Sequence, residues 1–198
     1  MTAVAGSMLS VIIATHESER PLVHTLAALI PGATAGLVHQ VIVADGGSRD
    51  ETAAVADVAG CHFHVTSGSA GARFNCAAAS ARAPWLLFLR AGLVLDRGWI
   101  NEVRSFIEEE DRRAIVEPRA ATFRAGSARY RSPIAQGLAL IVHALHPLIP
   151  PGRGLLIAKR LYDTVGGYAD MEDCEPNLLR RLGRRRVVTL HATATAAQ

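Results

Sequence analysis

Four short apolar runs, each leading through a polar loop toward a helix-like segment, constrain this chain more than any other feature. Leu9 to Ala14 (LSVIIA) reads as a β-branched apolar strand, and behind it Leu22, Leu26 and Leu29 recur at helical spacing across Pro21 to Leu29. Val38 to Ala44 (VHQVIVA) repeats the pattern and ends at Asp45-Gly46-Gly47-Ser48, where Ser48 or Asp50 is placed to cap a helix from Thr52 to Ala59. Cys61 to Thr66 (CHFHVT) reads as a third strand, the alanine-rich stretch Ala70 to Ala81 as a helix, and Trp85 to Leu89 (WLLFL) as a fourth, fully apolar strand. Parallel strands need helical crossovers and are buried on both faces. The alternation therefore predicts an α/β fold, a mostly parallel sheet flanked by helices.

In such sheets ligands bind in the crevice outside the carboxyl ends of the strands. One rim then carries Thr15, His16 and Glu17 after the first strand, Asp45 to Ser48 after the second, Ser67 to Gly71 after the third and Arg90 to Gly92 after the fourth. Further along, Trp99 to Glu110 predicts a helix, a strand is expected near Ala114 to Glu117, and the arginine-bearing stretch to Arg131 has no clear period. Ile134 to Leu148 reads as an apolar helix, Leu155 to Ala158 as a strand, and Lys159 to Val165 as a short helix ended by Gly166-Gly167. Cys174 to Leu182 follows as a helix with Pro176 in its first turn and Gly183 as its C-cap.

The length of 198 residues suits a single domain, and 49% hydrophobic with 20% charged residues marks a folded chain. Cys61, Cys76 and Cys174 are odd in number and form no CxxC pair, which argues against a disulfide framework or a structural zinc and fits a reducing, cytoplasmic setting. The opening residues lack the basic and long apolar regions of a signal peptide. Ile134 to Ile149 is interrupted by Gln136, His143, His146 and Pro147 and falls short of the roughly 20 residues a membrane span requires. The net charge of +3 is mild, but Arg180, Arg181, Arg184, Arg185 and Arg186 cluster late. That cluster suits phosphates or the inner face of an anionic membrane, and equally a solvated helix face.

Four segments resemble, in order, the family 2 glycosyltransferases, which are inverting enzymes with the A-type nucleotide-sugar-binding fold. LSVIIATHESE is similar to the family's S-V-I-I-P-T-x-N-E, with Ala14 in place of the proline and Glu17 in place of the asparagine. VIVADGGSRDET is similar to V-I-V-V-D-G-G-S-x-D-x-T, and NCAAASARAPWLLFLRAG to N-x-G-x-x-x-A-R-G-x-W-L-L-F-L-x-A-D without a gap from Asn75 to Gly92. VGGYADMEDCEPNLLRRLGR resembles the G-G-F segment with its E-D pair and arginine-bearing helix, one residue shorter than the family pattern. The resemblance implies one domain over 1–198, with a nucleotide-binding half over 8–96 and an acceptor and catalytic-base half over 97–198. It implies a nucleotide-diphosphate sugar donor, UDP above all, and an acceptor hydroxyl on an unknown sugar, lipid or protein.

By the same resemblance Thr15, His16, Glu17 and Asp45 hold the nucleoside, Asp173 is the catalytic base and Glu172 supports it. The chemistry is apt: a carboxylate accepts from uracil and ribose donors, a flat imidazole stacks on a base, and a base in reach of the acceptor hydroxyl accelerates its attack. Plainer readings stand beside these. Asp45 and Asp50 also suit turn and cap chemistry, and Glu172-Asp173 suits a helix N-terminus for its dipole alone.

The pattern breaks at Gly92, where metal-dependent relatives carry an Asp that binds a divalent ion. Arg90 and Ala91 are no ligands for a hard cation, and the next carboxylate is Asp96, so a Mg or Mn site is poorly supported. Two readings compete. In one, Arg90, on the same loop, or Arg73 neutralises the diphosphate in place of a metal. In the other, the chain is a degenerate transferase that binds a nucleotide or a partner without catalysis. A generic dinucleotide-binding protein is disfavoured because ATHESE, not a GxGxxG turn, follows the first strand. Nucleic-acid binding is disfavoured because the basic cluster is local and carries no interleaved aromatics.

Overall fold

The computed structural model describes residues 9–113, 117–126 and 152–197. Its first part is the predicted alternation of β1 (Leu9–Thr15), α1 (Glu19–Thr34), β2 (Val38–Asp45), α2 (Thr52–Val58), β3 (His62–Val65), α3 (Ala70–Ser80) and β4 (Trp85–Arg90). There follow β5 (Leu93–Leu95), α4 (Trp99–Arg112), β6 (Ala120–Ala125), β7 (Leu155–Ala158), α5 (Lys159–Thr164), α6 (Glu175–Leu182) and β8 (Val187–Ala196).

These strands form one sheet in the order β3-β2-β1-β4-β7-β6-β8-β5. The β3-β2-β1-β4 portion is parallel, as the crossover argument requires. Beyond β4 the sheet is mixed: β7 runs antiparallel to β4 and β6, β8 parallel to β6, and β5 antiparallel to β8. Every residue of β1 is buried, as its place between two neighbours demands, whereas β3 at the edge is only partly covered. Ile12, Ile13, Ile42, Leu86, Leu87 and Phe88 are wholly excluded from solvent. Each such side chain contributes about 1.5–3 kcal/mol relative to an exposed one.

Several elements depart from the sequence expectation. The helix expected over Pro21 to Leu29 runs on to Thr34, through Pro31. Packing outweighs the proline there: Gly32 lies so near the first residue of α4 that a Cβ would meet the Trp99 indole at 2.5 Å, and Trp99 Nε1 donates to the Ala28 carbonyl at 3.2 Å. The strand expected near Ala114 to Glu117 falls mostly outside the described residues, and Glu117 itself is not in a strand; β6 lies later, at Ala120–Ala125. β5 and β8 were not anticipated. The apolar stretch Ile134 to Leu148 lies outside the described residues. Among the described residues no helix is long and apolar enough to cross a membrane.

The chain at β8 also braces the turn after β4. Ala197 N donates to the Gly92 carbonyl at 2.7 Å, and the Asp96 carboxylate takes the Thr193 N–H at 2.6 Å and its hydroxyl at 2.8 Å. The turn from β4 into β5 is thereby tied to the strand formed last in the chain.

Candidate functional site

The carboxyl ends of β1, β2 and β4 open into a cleft of about 550 Å³, lined chiefly by Thr15, His16, Gly46, Arg73, Arg90 and Glu172. Its floor is organised by Asp45, which is 1% exposed. One carboxylate oxygen of Asp45 accepts from the Thr15 hydroxyl at 2.8 Å and the Ser48 hydroxyl at 2.6 Å, and the other from the Gly47 and Ser48 N–H groups at 2.8 and 2.7 Å. Burial alone would raise this carboxyl, but the Ser48, Thr15 and Gly47 bonds outweigh it and hold it below its ordinary value. Asp50, not Ser48, serves the start of α2, accepting from the Thr52 N–H and hydroxyl and from the Glu19 N–H at 3.0 Å.

Glu17 stands in the left-handed region at φ +48°, where an asparagine is easier to accommodate than a glutamate. Its N–H donates to Ser48 Oγ at 2.8 Å and its carboxylate accepts the Arg49 N–H at 2.9 Å, joining the first two loops. The structure therefore keeps the carboxylates of Glu17 and Asp45 out of the cleft lining and brings Thr15, His16, Arg73 and Arg90 into it. Gly46 leaves room for the two side chains at the cleft: a Cβ there would lie 2.7 Å from Arg73 Nη1 and 3.1 Å from His16 Nδ1, so those side chains would have to shift.

Arg73 projects from α3 with its side chain 11% exposed. It donates to the Gly68 carbonyl at 3.0 Å and stands 3.8 Å from the Glu172 carboxylate, while its buried Nε has no partner among the described residues. Arg90, the last residue of β4, donates to the Glu172 carbonyl at 3.0 Å. The loop bearing Glu172 and Asp173 is docked on α3 by a network about Asn75. The Asn75 amide donates to the Tyr168 carbonyl at 2.8 Å and accepts from the Tyr162 hydroxyl at 2.6 Å and the Tyr168 N–H at 3.0 Å. Nearby, Gly71 lies so close to the loop that a Cβ would meet the Ala169 carbonyl oxygen at 1.9 Å.

Glu172 and Asp173 are exposed on that loop and share an adjoining cavity of about 360 Å³ with Arg90, Gly152 and Glu175. Glu175 was not singled out from the sequence. It is 6% exposed, accepts the Gly152 N–H, and its burial raises its carboxyl above the ordinary glutamate value, with Asp173 adding to the rise and Arg90 opposing it. A signal for it existed: Glu175 shares the buried face of α6 with Leu178 and Leu182, and a carboxylate on an apolar face needs a reason.

No carboxylate stands where the resemblance places the family's metal-binding Asp. Gly92, the position of the family's metal-binding Asp, adopts φ +89°, a conformation that an L-residue resists, and its N–H is held by Pro21 O at 3.1 Å and Thr25 Oγ1 at 2.9 Å. The Asp96 carboxylate is taken up by Thr193 and by the Gly98 N–H at 2.8 Å. Among the described residues no three His, Cys, Asp or Glu side chains converge as a ligand set, and the charged lining of the cleft is Arg73, Arg90 and Glu172, with His16 beside them.

No curated protein matches the sequence. Solved structures do. The glucosyl-3-phosphoglycerate synthase of Mycobacterium tuberculosis, in complex with Mn2+, UDP and glucosyl-3-phosphoglycerate, shares 19% identity at a TM-score of 0.63, covering 98% of this chain and 73% of the other. The same enzyme with Mg2+ and UDP is similar at 19% identity and a TM-score of 0.65, again over 98% and 73%. TarS of S. aureus (residues 1–349) gives 15% identity and a TM-score of 0.67 over 96% of this chain and 60% of the other. These likenesses establish the A-type transferase fold. The model of the family described as Glycosyl transferase family 2 matches residues 10–167, most of the chain. The chain therefore belongs to glycosyl transferase family 2.

Proposed function

We propose that this protein transfers a sugar from a UDP-type donor to an acceptor hydroxyl with inversion at the anomeric carbon, and that Arg73 and Arg90 neutralise the diphosphate. The observation that carries the reading is that Arg73 and Arg90 line one cleft beside Glu172, at the strand ends where ligands of such sheets bind. The complexes of the similar synthase contain UDP with Mn2+ or Mg2+. Here the position of the metal-binding carboxylate is a left-handed glycine, and no step is assigned to a metal.

In the proposed reaction Asp173 takes the proton of the acceptor hydroxyl while that oxygen attacks the anomeric carbon from the face opposite the diphosphate. The bond from carbon to phosphate oxygen breaks and its electron pair leaves with the diphosphate, where Arg73 and Arg90 offset the developing charge. Thr15 and His16 line the nucleoside side of the cleft, with Asp45 and Glu17 fixing the loops that present them. Glu175 is a second base candidate, because burial in the same cavity moves its carboxyl toward the neutral range where a general base works best. Comparing Asp173→Asn with Glu175→Gln separates the two.

The test is calorimetric titration with UDP, with and without Mn2+, followed by assay of UDP release from UDP-sugars. Binding that is unchanged by the metal supports the reading. Binding that requires the metal overturns the arginine assignment, and no binding at all favours the degenerate, non-catalytic alternative.

A further inference from the structure

A second cleft, of about 730 Å³, lies on the far side of Arg90 from the nucleotide cleft and shares Arg90 and Ala91 with it. Its ionisable lining consists of Arg20, His24 and Arg90, with no carboxylate side chain among the described residues that line it. The rest of the wall is apolar or backbone, including Pro21, Leu93 and Ala196.

Arg20 and His24 are four residues apart on α1 and so project from the same face of the helix. Both are exposed, and among the described residues neither side chain has a hydrogen-bond or ion-pair partner. Some other cations of the fold are engaged, such as Arg119 with Glu109 and Glu110 and Arg186 with Glu117, and what distinguishes Arg20 and His24 is their place in a cleft next to Arg90. A concave surface with several donors and no acid concentrates anions and offers them charge-assisted bonds. Its volume lies within the range that holds a small molecule.

We infer that this second cleft is the acceptor site and that the acceptor is a small hydroxyl compound bearing a phosphate or carboxylate, held by Arg20 and His24. The inference rests on the donor reading above, since it takes the nucleotide to occupy the first cleft. Arg90 lines both clefts and, with Gly152, also the cavity of Asp173 and Glu175, so the proposed base borders the acceptor cleft and Arg90 has a part in aligning the acceptor oxygen with the anomeric carbon.

The test uses UDP-saturated protein, so that the nucleotide cleft is filled, titrated with inorganic phosphate, glycerol 3-phosphate, glycerate and, as an uncharged control, glycerol. The comparison is with the double variant Arg20→Gln/His24→Gln, whose UDP affinity is expected to match the unaltered protein. Glycerol 3-phosphate or glycerate should bind the unaltered protein and lose about tenfold or more in the variant, while glycerol binds neither. Equal binding to both proteins, no binding of any anion, or binding of inorganic phosphate with no gain from either organic anion would overturn the inference. If UDP itself fails to bind, the donor reading falls, and the same anions titrated into the free protein and the variant still decide whether Arg20 and His24 form an anion site.

Discussion

Arg90 Nη2 donates to the backbone carbonyl of Glu172 at 3.0 Å, joining positions 82 residues apart. The end of β4 is thus tied to the loop that carries Asp173, so the side chain proposed to meet the leaving diphosphate also fixes where the base stands. Arg90→Ala is expected to weaken UDP binding by about tenfold to a hundredfold and to cut turnover further, since alignment fails together with charge neutralisation. Arg90→Lys should recover only part, because an ammonium group lacks the planar fork. Steady-state kinetics with calorimetry of UDP checks both, and unchanged turnover in Arg90→Ala would refute the role.

Glu175 gives the fold a distinctive pH response. Because burial raises its carboxyl, the folded protein holds this proton more tightly than the unfolded chain does. Stability from this group therefore falls as pH rises from the ordinary glutamate range through the raised value, and stays lowered above it. Glu175→Gln should raise the Tm at neutral pH and leave it nearly unchanged in mild acid. Asp45 acts in the opposite sense. Burial raises its carboxyl but the Ser48, Thr15 and Gly47 bonds more than compensate, so its stabilisation is present above the ordinary aspartate range and is lost as pH falls through the lowered value. Thermal melts across pH on the unaltered protein, Glu175→Gln and Asp45→Asn separate the two contributions.

Restoring the family's acidic residue should not restore a metal site. Gly92→Asp places an L-residue at φ +89° with its Cβ 3.4 Å from Pro21 Cβ, and is expected to cost about 1–2 kcal/mol. UDP binding in this variant should stay independent of Mn2+, because among the described residues no carboxylate side chain lines the cleft beside the position. A gain of Mn2+-dependent affinity would show that the turn can relax around the ion.

Asn75→Ala removes one acceptor and one donor that together serve Tyr162 and Tyr168. With the Tyr168 N–H and carbonyl left in a buried setting, the expected loss is about 2–4 kcal/mol of stability. The same change loosens the loop of Asp173, so kcat should fall more than the affinity for UDP. Denaturant melts and a comparison of kcat with UDP affinity test this pair of effects.

The β1-to-β4 half was legible in the sequence because apolar runs and Gly- or Asp-marked turns are local signals. Asn75, by contrast, gained its meaning only when the chain brought Tyr168 to it. β5 is only three residues long, and β8 is built largely of Ala and Thr, whose alternation of buried and half-exposed positions carries little hydrophobic contrast. The loops of Thr15, Asp45 and Arg90 fell on one rim as the strand-end rule requires. What escaped the sequence was orientation: Asp45 and Glu17 turn their carboxylates onto neighbouring N–H groups.

The placement of β8 bears on how the protein comes into being. It lies between β6 and β5, pairing Ala120 with Val187 and Leu93 with Ala196. During synthesis the nascent chain must keep both of those strands unpaired on this side until Val187–Ala196 has left the ribosome. The turn holding Gly92 waits equally for Ala197. A protein whose first half is assembled from local βα units thus secures the turn after β4 through a late, long-range pairing, and that pairing, more than the early units, is expected to govern the folding rate.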